Sequence, residues 1–271
     1  MGSNAQFMDG SLLTVIEASK YHEINHIYLE VNPLVHGYDR DGRPDLTPTY
    51  CVSDYMKPSF AKVNYLLNAS TENWYAYSLI PARRYWKRIF DYKFIKSNIL
   101  KKTSQEYRSY DYSLADSAIG RYSGRGYYAL INIMDEESKD EKFPWESLTN
   151  HLDDPDWNED VQKVIDYCRE KNIELTFVTA PMNDNCFVDY DYDEYHNYIS
   201  ALATNSRCEY YDFIMLKDQY FGNSPELYCD YEHLSDAGAT KITQILALLD
   251  SGELKKEDIL FSTYVEKIEN Q

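Results

Sequence analysis

The chain has 271 residues, 44% of them hydrophobic, which is enough to bury a sizeable core and excludes disorder as its default state. Its 45 acidic against 27 basic side chains give a formal net charge of -18, which repels phosphate backbones and anionic headgroups and argues against a nucleic-acid partner. No stretch approaches the roughly 20 apolar residues needed to cross a bilayer, and the opening residues lack the basic-then-apolar pattern of a signal peptide, so the chain as given reads as soluble, without a membrane segment.

In chain order, Asp9-Gly10-Ser11 reads as a helix start, followed by a helical stretch over 12–21 with Leu12, Ile16 and Ala18 as core candidates. The β-branched and aromatic run His26-Ile27-Tyr28-Leu29-Glu30-Val31 predicts a strand ended by Asn32-Pro33. Residues 34–56, with Gly37, Gly42, Pro44 and Pro48, read as a long loop of the kind that serves as a lid or binding segment. From about 57 to 108 the pattern is helical, interrupted at Pro81 and rich in Tyr, Phe, Trp, Lys and Arg, and it reads as a helical insertion. Its cluster Arg83, Arg84, Lys87 and Arg88 reads as a solvated helix face, with docking of an anionic substrate or acyl carrier as the functional alternative. The segment at about 109–157 is irregular. Gly120, Gly124 and Gly126 predict a bend or bulge rather than a phosphate loop, since no Lys-Ser/Thr follows them, and 127–133 reads as a short strand.

The C-terminal part has clearer periodicity. Val161, Val164, Ile165 and Cys168 repeat at helical spacing behind Asn158, a candidate cap. A mostly apolar strand over 173–180 ends at Pro181, followed by a helix over 192–204, a short strand over 208–214 and a helix over 235–250 with Ile242, Ile245, Leu246 and Leu249 on one face. This alternation predicts an α/β domain with a mostly parallel sheet and helices on both sides. The five cysteines are widely spaced with no C-x-x-C pair, and His22, His26, His36, His151 and His196 show no ligand spacing, so neither a metal nor another cofactor is expected. The acidic cluster from Asp189 to Glu194 lacks the glycine and terminal glutamate of a calcium loop and reads as a helix N-terminal charge cluster. The 27 tyrosines suit half-buried packing first and sugar-facing grooves second.

Ligands of open parallel sheets bind beyond the carboxyl ends of the strands, where Asn32-Pro33, Pro181-Met182-Asn183-Asp184 and Asp230-Tyr231-Glu232-His233 are expected to meet. A serine nucleophile needs a base within hydrogen-bond reach, and that base needs an acceptor on its other nitrogen. An aspartate three residues before a histidine supplies both in one turn, with the carboxylate on Nδ1 and Nε2 left for the nucleophile. Asp230 and His233 are therefore the candidate dyad.

The run Asp230-Tyr231-Glu232-His233-Leu234-Ser235-Asp236-Ala237-Gly238-Ala239 resembles the last motif of the SGNH/GDSL hydrolase superfamily, Asp-x-x-His-Leu-x-x-x-Gly-Ala. The unit before it, from Tyr167 to Met182, is similar to that of members acting on bacterial cell-surface polymers, including relatives of the teichoic-acid D-alanylation and polysaccharide O-acetylation proteins. The resemblance covers roughly the last hundred residues and, more loosely, the first forty. It implies a three-layer flavodoxin-like fold and an esterase or O-acyltransferase acting on a carbohydrate or acylated cell-envelope glycopolymer, with no cofactor. A membrane-linked partner and an envelope setting would fit. It also implies a serine nucleophile after the first strand and an oxyanion hole of backbone and asparagine donors. Gly2-Ser3-Asn4 is then either a shortened nucleophile segment with Ser3 attacking, or the family's second, glycine-bearing block with the nucleophile block missing upstream, and the second reading is preferred. In that case Gly2 and Asn4 belong to the oxyanion hole, and catalysis by this chain alone would fail; the alternative to the enzyme reading is a catalytically inactive or truncated relative serving as a glycan-binding or scaffold protein. Asn32 is a further oxyanion candidate, although Asn-Pro is first of all a turn.

Overall fold

The chain runs from helix α1 (Met8–Ala18) into strand β1 (His26–Glu30), then through α2 (Thr47–Ser53), α3 (Phe60–Asn68), α4 (Tyr75–Leu79), α5 (Pro81–Arg84), α6 (Trp86–Ile89), α7 (Tyr92–Thr103) and α8 (Gln105–Arg108). A hairpin of β2 (Gly120–Gly124) and β3 (Tyr127–Leu130) precedes an alternating part, α9 (Pro155–Lys171), β4 (Glu174–Thr179), α10 (Tyr192–Ser206), β5 (Glu209–Asp212) and α11 (Asp236–Asp250), with the short α12 (Lys256–Ile259) and α13 (Tyr264–Glu269) at the end. The computed structural model describes residues 6–32, 46–54, 56–70, 75–84, 86–109, 120–124, 127–135, 152, 154–183, 192–230 and 232–270.

The fold is α/β around a three-stranded parallel sheet of order β1-β4-β5, in which His26 lies opposite Glu174 and Thr176 opposite Glu209. Side chains alternate across a strand, so β4 and β5 feed two cores. Leu175, Phe177 and Tyr210 enter one with Val161, Val164, Ile165 and Cys168 of α9 and Tyr195 and Ile199 of α10. Val178 and Tyr211 pack against the other, built from Ile242, Ile245 and Leu249 of α11 with Phe213, Leu227 and Tyr228. Burial on both faces explains why the strands read as apolar runs, and the fully buried Phe177 alone contributes about 2–3 kcal/mol. The thiol of Cys168, buried in the first core, is pushed up to about 11 by desolvation.

Several boundaries differ from expectation for identifiable reasons. The predicted loop over 34–56 contains helix α2, which starts beside Pro48, a residue tolerated in a first helical turn. Helix α1 starts at Met8, and Leu13 is its most buried aliphatic side chain; of the expected core residues Leu12 packs half-buried against the first core, and Ile16 and Ala18 are half-buried. The cap of α9 is Asp154, which accepts from the N–H groups of Asp156 and Trp157, with Pro155 beginning the helix. The expected cap, Asn158, lies within the helix and accepts from the Tyr198 hydroxyl. The predicted strand over 208–214 is shorter, because Asp212 accepts from Ile214 N–H and turns the chain into a 3-10 helix, Phe213–Met215. In the hairpin the register shifts between Tyr122 and Gly124, a bulge in the glycine-rich stretch.

Candidate active site

The loop carrying Asp230 and His233 is pinched shut at its base. Tyr228 and Leu234 form an isolated antiparallel bridge, and Cys229 N–H donates to the His233 carbonyl at 2.8 Å. Asp230 Oδ1 accepts from the backbone N–H groups of Glu232 (2.9 Å) and His233 (2.8 Å), the local turn that aspartate side chains stabilise. The same carboxylate meets the imidazole, with Nδ1 at 2.9 Å from Oδ1 and 3.0 Å from Oδ2. Three residues of spacing suffice because the carboxylate organises the backbone that returns the histidine to it.

The residues after His233 fasten this loop to the body. Leu234 packs against the second core, and Ser235 caps α11, its Oγ accepting from Gly238 N–H (3.1 Å) and donating to the Glu226 carbonyl (2.6 Å). A Cβ at Gly238 would lie 2.1 Å from the Leu227 carbonyl oxygen, so this approach of α11 to the 3-10 turn Pro225–Leu227 requires glycine. The spacing Leu-x-x-x-Gly thus has a mechanical basis: it sets the helix that presents the dyad.

The dyad is accessible, with 59% of the His233 and 53% of the Asp230 side chain exposed. The hydrogen bond that His233 donates to Asp230 raises the imidazole pKa; partial desolvation opposes this, and the charges of Asp230, Glu232 and Glu30 add to it. Desolvation pushes Asp230 up, but the imidazole and the two backbone N–H groups outweigh it and hold the carboxyl below the usual range. Among the described residues nothing hydrogen-bonds His233 Nε2, which is the nitrogen a general base uses.

Two carboxylates not singled out by the sequence flank the dyad. Glu30, at the carboxyl end of β1, is exposed. Desolvation raises its pKa, while a hydrogen bond with the Asn32 side chain and the charge of His233 pull it down. Glu232 is raised by desolvation and by Asp230, with His233 opposing. The sheet therefore brings Asn32 to the same edge as His233, and the Asn32 side chain is engaged with Glu30. Asn183, beyond β4, is fully buried and donates toward Met134 Sδ at 3.6 Å. Gly2, Ser3 and Asn4 lie outside the described residues, as do Asp184 and residues 189–191 of the acidic cluster. The rest of the cluster opens α10, with Asp193 and Glu194 in its first turn as expected, and Asp193 accepts from Tyr264 N–H at the start of α13.

A second Ser-His-Asp array was not anticipated. Asp212, buried at the carboxyl end of β5, accepts from the Tyr192 hydroxyl and lies 2.7 Å from His196 Nδ1, and Ser200 Oγ lies 3.4 Å from His196 Nε2. His196 and Ser200 occupy adjacent turns of α10, a spacing visible in the sequence. The serine is set mid-helix, where its N–H is committed to the helical ladder and supplies no oxyanion donor. This array ties α10 to β5. An open hollow lined by Asn25, Cys168, Asn172 and Glu174 sits at the opposite, amino end of β4, away from either histidine.

No protein-family model matches this chain, and no curated protein or solved structure does so either.

Proposed function

We propose that this chain is an esterase or O-acyltransferase of SGNH type, acting on a carbohydrate or cell-envelope glycopolymer, with His233 as general base and then acid and Asp230 as its orienter. The observation that carries the reading is the carboxylate on Nδ1, which holds the tautomer and leaves the Nε2 lone pair as the acceptor for a nucleophile's proton. The parallel sheet with cores on both faces and the dyad ahead of the last long helix support the three-layer, flavodoxin-like arrangement that goes with such a site. In the reaction, the base takes the proton of a serine hydroxyl as it attacks the acyl carbon, and returns it to the departing alcohol. A water or sugar hydroxyl then repeats the sequence on the acyl-enzyme.

A second reading, a non-catalytic glycan-binding or scaffold protein, is favoured by one fact: among the described residues no hydroxyl lies on His233 Nε2. Turnover of p-nitrophenyl acetate separates the two. The enzyme reading expects hydrolysis that falls about a hundredfold or more in His233→Ala and is unchanged in His196→Ala. Equal rates in wild type and His233→Ala would sink it. Fluorophosphonate labelling with peptide mapping then names the nucleophile. A label on Ser3 assigns the attack to that residue, one on Ser200 moves the chemistry to the second array, and no label supports the scaffold.

A further inference from the structure

The charge of this protein is segregated. Between Tyr75 and Arg108 nine Lys or Arg face two acidic residues, so this arm carries +7 and the remainder of the chain -25. Helices α5 to α8 pack chiefly on their chain neighbours, and the arm meets the body mainly through α3 and α4. None of the described residues of α6, α7 and α8 is buried.

What the arm exposes is apolar as well as basic. Phe90 is 76% exposed, Tyr92 72% and Leu100 60%, with Trp86, Ile89, Ile95 and Ile99 also open to solvent. Helix α7 is turned opposite to a solvated helix: Phe94 and Asn98 are half-buried on its inner side, while Tyr92, Ile99 and Leu100 face out with Lys93 and Lys96 among them. Arg84 is committed to Asp54, in a two-pronged pair at 2.7 and 2.8 Å, and to the Tyr50 ring. Arg88 and Lys96 lie over the Phe94 and Tyr92 rings. Among the described residues no carboxylate pairs with Lys87, Lys93, Lys96, Lys101 or Lys102.

We propose that this arm lies on the surface of an anionic lipid bilayer, with its aromatic and aliphatic side chains in the boundary between headgroups and acyl chains and its lysines and arginines on lipid phosphates. Interleaved Trp, Phe, Ile, Leu and Lys/Arg on short helices is the chemistry of interfacial segments. Exposed isoleucine and leucine find no partner on a phosphate backbone or a base, which sets a bilayer ahead of a nucleic acid. The cations require negative charge, which sets it ahead of a neutral apolar groove. The inference is independent of any role for His233.

The test is co-sedimentation of the full chain with vesicles of equal parts phosphatidylglycerol and phosphatidylcholine, alongside vesicles of phosphatidylcholine alone. Binding is expected to the anionic vesicles only, with a blue shift of tryptophan emission that is lost in Trp86→Phe. The triple variant Arg88→Gln, Lys93→Gln, Lys96→Gln weakens partition roughly a hundredfold. Ile99→Ser with Leu100→Ser weakens it as well, and both variants alter exposed side chains, so circular dichroism should match wild type. Equal binding to both vesicle types, binding unaffected by either variant, or no binding to anionic vesicles would overturn the proposal. Retention on polyuridylate or on an acidic protein without vesicle binding would overturn it too and reassign the arm.

Discussion

At the residue scale the dyad is one electrostatic unit whose two members shift in opposite directions. His233 is raised mainly by its bond to Asp230, so its contribution to stability is complete below the ordinary imidazole value and is lost as pH rises through the raised one. Asp230 is lowered, so its contribution is present above the ordinary carboxylate range and is lost as pH falls through the depressed value. The pair is therefore strongest in the window between the two, and its solvent exposure keeps the energy small. Replacing Asp230 by Asn removes the largest cause of the imidazole shift. The His233 pKa, followed by NMR titration of the ring protons, should fall toward 6.5, the unshifted value. A general base must be neutral, so the alkaline-rising limb of any hydrolysis should move to lower pH in the same variant while the plateau drops. An unmoved titration would mean that Asp230 does not control the ring.

At the element scale the site depends on how closely α11 can approach the turn before it. Gly238→Ala places a methyl carbon 2.1 Å from the Leu227 carbonyl, and that atom is backbone, held by Ser235 N–H at 3.0 Å. The helix start must shift, at a cost of about 1–3 kcal/mol, read as a lower urea midpoint with an unchanged slope. Because Ser235 and Leu234 move with it, hydrolytic activity should fall as well, whereas Ala237→Ser on the exposed side of the same turn should leave both unchanged. The same local logic explains what the sequence made readable. Helix α9 showed because Val161, Val164, Ile165 and Cys168 recur at helical spacing, and strand β4 because Leu175, Phe177 and Val178, which feed the cores on its two faces, make a mostly apolar run. Asp230 and His233 showed because their partnership is local. Glu30 gave no signal, since it reaches His233 only through a sheet that pairs residues about 150 positions apart in sequence, as His26 with Glu174. Asp212 and His196 stayed hidden for the same reason: a strand end and a helix turn meet only after both elements dock.

At the scale of the whole molecule, the formal charge of -18 is the sum of two parts of opposite sign, and the two respond oppositely to salt. The body, at -25, repels itself across its surface, since local ion pairs such as Lys163 with Glu159 and Asp160 cannot neutralise an excess of 25 acidic side chains. Screening length falls from about 10 Å at 0.1 M to about 3 Å at 1 M, so added sodium chloride weakens the repulsion between surface carboxylates and should raise the thermal midpoint. The arm at +7 gains from low salt, since its attraction for phosphate headgroups is screened by the same ions. One sodium chloride series should therefore show melting temperature rising while the fraction bound to phosphatidylglycerol vesicles falls. If vesicle binding held constant across the series, the apolar side chains around Phe90 and Leu100 alone would be responsible, and the cations between them would be bystanders. If the midpoint fell with salt, attraction between arm and body would outweigh repulsion within the body, and the arm would be held against the acidic surface rather than free to meet a membrane.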